Sequence, residues 1–251
     1  MIQIEPLGWD SNFFHRTIGR CHLHGVLDQQ AIPDLNHRGF DTIYIFSNVE
    51  QLNFHPASIP LTDTKLTLHK SIHPLGNITP NPTDFAHPTQ ANPALEALFL
   101  SSGQYSRYKT DPVFTPMFEP FYREWLHKAL DKSFADEFVT TGPPNHPSGL
   151  LVLKKTGESM HISIIAVDTN LKGKGIGRSL INFAEDAARK SKFKSLTVDT
   201  QEKNIEAMRF YTAMGFEVER RVFVYHWHGG RSFTSTGHED YGFSNPPRRK
   251  N

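Results

Sequence analysis

The chain has 251 residues, and its 27 lysines and arginines nearly balance its 26 aspartates and glutamates, for a formal net charge of +1 with the histidines neutral. That length buries a core without covalent staples, and the balanced charge supplies no global field for nucleic acid or an anionic membrane, so an anionic ligand must be recognised locally. Cys21 is the single cysteine, which excludes an intramolecular disulfide and a cysteine-based zinc site and fits a reducing cytoplasm. The opening MIQIEPLGWDSNFF lacks the pattern of an export signal, and no apolar run approaches the ~18 residues of a membrane span, so a soluble, unexported protein with no membrane insertion is expected.

In chain order, residues 26–39 read as a short interrupted helix stopping at Gly39, and residues 40–47 and 64–68 as strands. These elements make residues 1–95 a small α+β domain. The proline- and asparagine-rich stretch 73–93 propagates neither helix nor central strand and marks the boundary. Residues 92–103 carry a full helix signature, with an Asn cap, Pro93 in the first turn and a glycine stop. A second helix spans 118–132, and 134–142, 148–155 and 161–168 read as three successive antiparallel strands. A glycine loop, a helix over 178–191, a strand at KSLTVDT, a helix from Asn204 and a last strand or strand pair at FEVERRVFVYHWH complete a domain at 96–232. The expected class is α/β (α+β), a mixed, mostly antiparallel sheet flanked by helices. Residues 233–251 have too little apolar surface to offset their ordering entropy and are expected to form a mobile tail.

The loop KGKGIG at 172–177 joins a strand to a helix, and its glycines let backbone N–H groups approach a ligand closely. With the helix N-terminus behind it, the loop forms a pyrophosphate cradle, rimmed by Lys172, Lys174 and Arg178. A tight turn with solvated lysines is the alternative. Neither a Walker A loop nor a dinucleotide-binding GxGxxG fingerprint is present. The segment instead resembles the acetyl-CoA loop of GNAT acyltransferases, Gln/Arg-x-x-Gly-x-Gly/Ala, with Lys172 in place of Gln or Arg, which keeps the charge and loses the guanidinium or amide geometry. About thirty residues on, NIEAMRFYTAMGF resembles the GNAT segment Asn-x-x-Ala-x-x-x-Tyr-x-x-x-Gly-Phe, matched at Asn204, Ala207, Tyr211, Gly215 and Phe216.

That resemblance implies the GNAT fold and acetyl-CoA as co-substrate, held by Lys172, Gly173, Lys174, Gly175, Ile176, Gly177, Arg178 and Asn204. It also implies that the strands at 161–168 and 194–200 splay apart, with amides near Ile165 and Val167 polarising the thioester. An amine then attacks the thioester and a CoA thiolate departs. A phenol of pKa ~10 protonates a thiol of pKa ~8.5 at a cost of only about 2 kcal/mol, which makes Tyr211 the expected general acid. The general base is open between His161, Glu137 and a water chain.

Two aromatic, Arg/Lys-rich loops remain, EPLGWDSNFFHRTIGR at 5–20 and SGQYSRYKTDPVF at 102–114. With the C-terminal domain they are similar to the dTDP-fucosamine acetyltransferase group, over roughly residues 1–230. This likeness implies a nucleotide amino sugar as the small-molecule amine partner, acetylated at its 4-amino group, with Tyr105, Arg107 and Lys109 near the substrate. Other GNAT acceptors (amino acids, polyamines, protein N-termini) stay open, as does a CoA-binding domain without catalysis. No metal is expected, since HExxH is absent, although His226 and His228 alternate onto one strand face. A homodimer is an open option if VFVYHWH is an apolar edge strand, although pairing inside the domain explains that segment as well.

Overall fold

The computed structural model describes residues 2–27, 39–52, 54, 59–73 and 84–229. Most of the helix expected at 26–39, part of the 73–93 stretch and the tail at 233–251 lie outside these residues. Among the described residues the strands are β1 (Glu5–Pro6), β2 (Ile18–Leu23), β3 (Thr42–Ser47), β4 (Leu61–Ser71), β5 (Phe85–Ala86), β6 (Glu137–Thr141), β7 (Gly149–Thr156), β8 (Ser159–Val167), β9 (Ser195–Gln201) and β10 (Glu217–His228). The helices are α1 (Gly8–Phe14), α2 (Pro93–Ser101), α3 (Arg107–Thr110), α4 (Phe118–Leu130), α5 (Ile176–Lys190) and α6 (Ile205–Ala213). None is long and apolar enough to cross a membrane.

All ten strands share one mixed sheet in the order β1-β2-β3-β10-β4-β9-β8-β7-β6-β5. The expected run of three antiparallel strands is β6-β7-β8. β4, from the first 95 residues, is inserted between β10 and β9, so one sheet runs across the expected boundary. β10 is a single twelve-residue strand enclosed by β3 and β4. Of the two readings of VFVYHWH, an apolar edge strand and a strand paired inside the sheet, the second holds: β10 is an interior strand, and Phe223–Tyr225 pair on both sides.

Local chemistry explains the helices around the site. Asn92 caps α2 by accepting from the Leu95 amide at 3.0 Å, with Pro93 in the first turn. Asn204 caps α6 in the same way from Ala207, at 3.1 Å. α5 buries Leu180, Ile181, Ala184 and Ala188, one stripe of an amphipathic helix, and begins at Ile176, two residues before the expected start. Together with α6 it packs on Leu66, Leu68, Leu151, Ile162, Leu196 and Val198 on one sheet face. The other face is covered by the aromatic core of α1, α2 and α4, around Phe14, Phe99, Phe114 and Phe121. The segments 5–20 and 102–114, expected as loops, thus contain α1, β2 and α3.

Candidate active site

The central feature is a failed strand pairing. β8 pairs in parallel with β9 only from Ser159↔Ser195 to Ile162↔Val198. A bulge follows, because the β7 register shifts between Val152↔Ile164 and Leu153↔Ile162, leaving Ser163 as the extra residue. Beyond it β8 bonds to β7 alone, so the backbone of 163–167 has no ladder partner on the β9 side. The two strands diverge around a cleft of about 1010 Å³ that reaches both faces of the sheet.

On the α5 side the cleft is lined by Ile165, Val167, Lys172, Gly173, Gly175, Ile176, Gly177, Arg178, Asn204 and Tyr211. Gly173 and Gly175 take φ of +78° and +85°, the left-handed region that strains any other residue. No side chain caps α5, so its first amides remain as donors for an anion. Lys172 is tied to Glu206 of α6 at 2.8 Å, which joins the loop to the Tyr211 helix. Lys174 is exposed and does not line the cleft. Tyr211 is 4% exposed and packs on Phe216. Burial pushes its phenol above the ordinary value, which keeps it protonated and also raises the cost of giving that proton to a thiolate above the ~2 kcal/mol of an unperturbed phenol.

On the opposite face polar residues line the same cleft. Asp63 and Lys65 of β4, His161 of β8 and Asp199 of β9 all border it. Lys65 Nζ lies 2.6 Å from Asp199 Oδ2, and Thr67 donates to Asp199 Oδ1 at 2.7 Å. Burial alone would raise the Asp199 carboxyl, but the charge and hydrogen bond of Lys65 outweigh it and hold it low. Asp63 makes no ion pair among the described residues. Burial raises it to about 6, against the lowering charges of Arg107 and Lys65. His161 shares a hydrogen bond with Thr197 at 3.0 Å, and burial lowers its pKa, so it is neutral near pH 7. Of the expected bases, Glu137 does not line the cleft; its carboxylate lies 3.8 Å from His87.

The turn at Tyr105, with Arg107 and Tyr108 of α3 and Tyr122 and Trp125 of α4, forms the outer wall. The Arg107 guanidinium stacks on Tyr44 and Tyr108, 4.7 and 4.6 Å from the ring centres, and donates to the Tyr108 hydroxyl at 2.7 Å. Lys109 is outside the wall, with its ammonium 4.9 Å from the Phe118 ring. Sequence reasoning missed Asp63, Lys65 and Asp199. Their signal was the alternation Asp63-Lys65-Thr67 in a strand whose other residues, Leu66 and Leu68, are core: charge on one face of an interior strand marks a polar cavity.

His226 and His228, noted in the sequence, converge with Asp111 in a buried cluster whose ligand atoms all lie within 4.8 Å.

An acetyltransferase (GNAT) family model matches residues 103–216. N-alpha-acetyltransferase 30 of Saccharomyces cerevisiae is 26% identical over 117 residues, 45% of this chain and 66% of that protein. The spore coat polysaccharide biosynthesis protein SpsD of Bacillus subtilis is 28% identical over 126 residues, 49% of this chain and 43% of that protein. The chain therefore spans between two fifths and two thirds of these relatives. A GCN5-related N-acetyltransferase from Sphaerobacter thermophilus superposes with a TM-score of 0.51 at 12% identity, over 86% of this chain and 76% of the other, a likeness of fold.

Proposed function

We propose that this chain, whose residues 103–216 match an acetyltransferase (GNAT) family model, transfers the acetyl group of acetyl-CoA to the 4-amino group of a dTDP-4-amino-4,6-dideoxyhexose. The observation that carries the transferase reading is the cleft: a glycine loop and an uncapped helix on one face, carboxylates on the other, and unpaired strand between them. The α5 amides and Arg178 receive the pyrophosphate, and backbone of Ser163–Val167 holds the pantetheine and the thioester oxygen. Asp63 takes the proton of the incoming ammonium. The amine nitrogen then bonds to the thioester carbon, the C–S bond breaks as Tyr211 gives its proton to the sulfur, and the second nitrogen proton, lost as the amide forms, returns through solvent to Tyr211.

The acceptor class has narrower support. Tyr105, which is exposed, and the half-buried Trp125 offer flat faces suited to a nucleobase, and Arg107 offers a cation for a diphosphate. The likeness to a protein named for spore coat polysaccharide biosynthesis points the same way. A protein N-terminus is the second reading, favoured by the likeness to N-alpha-acetyltransferase 30.

The test is release of CoA thiol from acetyl-CoA with dTDP-4-amino-4,6-dideoxyhexoses, free amino acids, polyamines and peptides bearing a free N-terminus. Turnover with the nucleotide sugars at least about 100-fold above the other amines is expected, because a site built for their polar groups rejects amines lacking them. Turnover with peptides alone would replace the sugar by the second reading.

A further inference from the structure

Asp111 closes the segment that forms the outer wall of the cleft. Its amide is bonded to the Arg107 carbonyl, its own carbonyl accepts from Phe114 and Thr115, and its Oδ1 accepts from Val113 at 2.9 Å. The other carboxylate oxygen, Oδ2, leaves the segment altogether. It accepts from Nδ1 of His226 and, at 3.0 Å, from Nε2 of His228, both on the central strand β10. The remaining His228 nitrogen, Nδ1, accepts from the Thr42 hydroxyl on β3 at 3.0 Å. Both imidazoles thus meet on one carboxylate oxygen, and the buried Nε2 of His226 has no hydrogen-bond partner among the described residues.

The cluster is sealed. Side-chain exposure is 5% for Asp111, 0% for His226 and 1% for His228. Phe114 lies against both imidazoles, and Tyr44 against His226. Burial depresses His226 to about 4, against the raising effect of Asp111, so it stays neutral through the physiological range. Tyr44 connects the cluster to the site, since its ring packs on His226 and carries the Arg107 guanidinium. A metal centre is the other use of such residues. Here both nitrogens already sit on one carboxylate oxygen, and no fourth ligand joins them among the described residues.

We infer that the Asp111–His226–His228 network is a clamp that pins the acceptor wall to the central sheet and so positions Arg107 and Tyr105 at the cleft. These three are positioning residues; none lines the cleft. The inference rests on the acceptor reading above for its kinetic consequence, but not for its structural one. Two readouts on the full-length protein separate them.

The first is backbone hydrogen exchange. His226→Leu keeps an apolar filling between Tyr44 and Phe114 and removes one bond to Asp111. Exchange in the peptide 102–115 rises about tenfold or more, the loss of one hydrogen bond to a charged group, while peptides from β7 and α5 stay within about twofold. His226→Asn, whose amide nitrogen can take the place of Nδ1, restores most of the protection, as does His228→Gln in place of His228→Leu. The second readout is kinetic, with dTDP-4-amino-4,6-dideoxygalactose as the acceptor probe. In His226→Leu the acceptor KM rises about tenfold and the acetyl-CoA KM stays within about twofold. Unchanged exchange at 102–115 in the two leucine variants, or a global rise in exchange that Asn and Gln do not reverse, overturns the clamp. So does a stoichiometric transition metal in the purified protein that His226→Leu removes. If the wild type leaves the sugar unreacted, the acceptor reading fails and the exchange arm decides the clamp.

Discussion

Asp63 is a carboxylate placed where ionisation is costly, and that cost links its chemistry to stability. Its folded pKa, raised by burial to about 6, exceeds the ordinary 3.8, so the folded state binds its proton more tightly than the unfolded chain. Its contribution therefore favours folding below about pH 4 and is lost as pH rises through about 6. Asp63→Asn should consequently raise the unfolding free energy near pH 8 by on the order of 1–3 kcal/mol, and Tm with it, with the gain vanishing near pH 4. Circular dichroism melts at the two pH values check this. In catalysis the sign reverses, because only the ionised form accepts a proton. In wild type, kcat/KM for the acceptor should climb through an inflection near pH 6, and Asp63→Asn should lower it by about 100-fold and remove that inflection. An unaltered inflection would pass the role to His161, which lines the same cleft and is neutral near pH 7. Sequence reasoning reached His161 and missed Asp63, because a lone aspartate in a strand carries no motif. Its burial becomes visible only once β4 is seen between β9 and β10.

Among the elements, the glycine loop with α5 is where sequence and structure agree most closely, since left-handed backbone at Gly173 and Gly175 is a requirement that one residue type meets. A β-branched side chain at Gly175 would be strained by roughly 1–2 kcal/mol and would displace the first amides of α5. Gly175→Val should raise the acetyl-CoA Kd about tenfold or more by calorimetry while the strain lowers Tm by only several degrees and leaves the melt cooperative. α1 and α3 were not legible. α1 has no side-chain cap hydrogen bond, and in seven residues the i, i+4 pair Trp9 and Phe13 is too short a pattern to mark a helix; the ring packing on Phe121 settles it. α3 is a single turn held by Asp111 and the 106–115 hydrogen bonds, which no periodicity reports. Lys109 and Lys174 show the limit of reading charge from a motif: both stand beside lining residues, yet neither lines the cleft.

At the scale of the whole molecule, the order β10-β4-β9 makes the first and second halves of the chain interdependent. Local patterns supplied most strands, but the insertion of β4 depends on pairing between residues more than 130 apart, such as Leu66 with Thr200. A fragment from residue 96 onward would leave β9 and β10 without the strand between them and expose Leu196, Val198 and Phe216. It should fail to give a cooperative melt alone and recover one when co-expressed with residues 1–95; independent folding of the fragment would contradict this. The same insertion places the Asp63 face of β4 beside the gap between β8 and β9, so the sheet order itself assembles the two sides of the cleft. The most direct test of the central claim, that acetyl transfer occurs in this cleft with Tyr211 as proton donor to the leaving sulfur, is steady-state CoA release by Tyr211→Phe alongside calorimetric acetyl-CoA binding. A kcat lower by about 100-fold or more, with the Kd within about twofold, is expected. A variant that binds acetyl-CoA normally and turns over at the wild-type rate would contradict it.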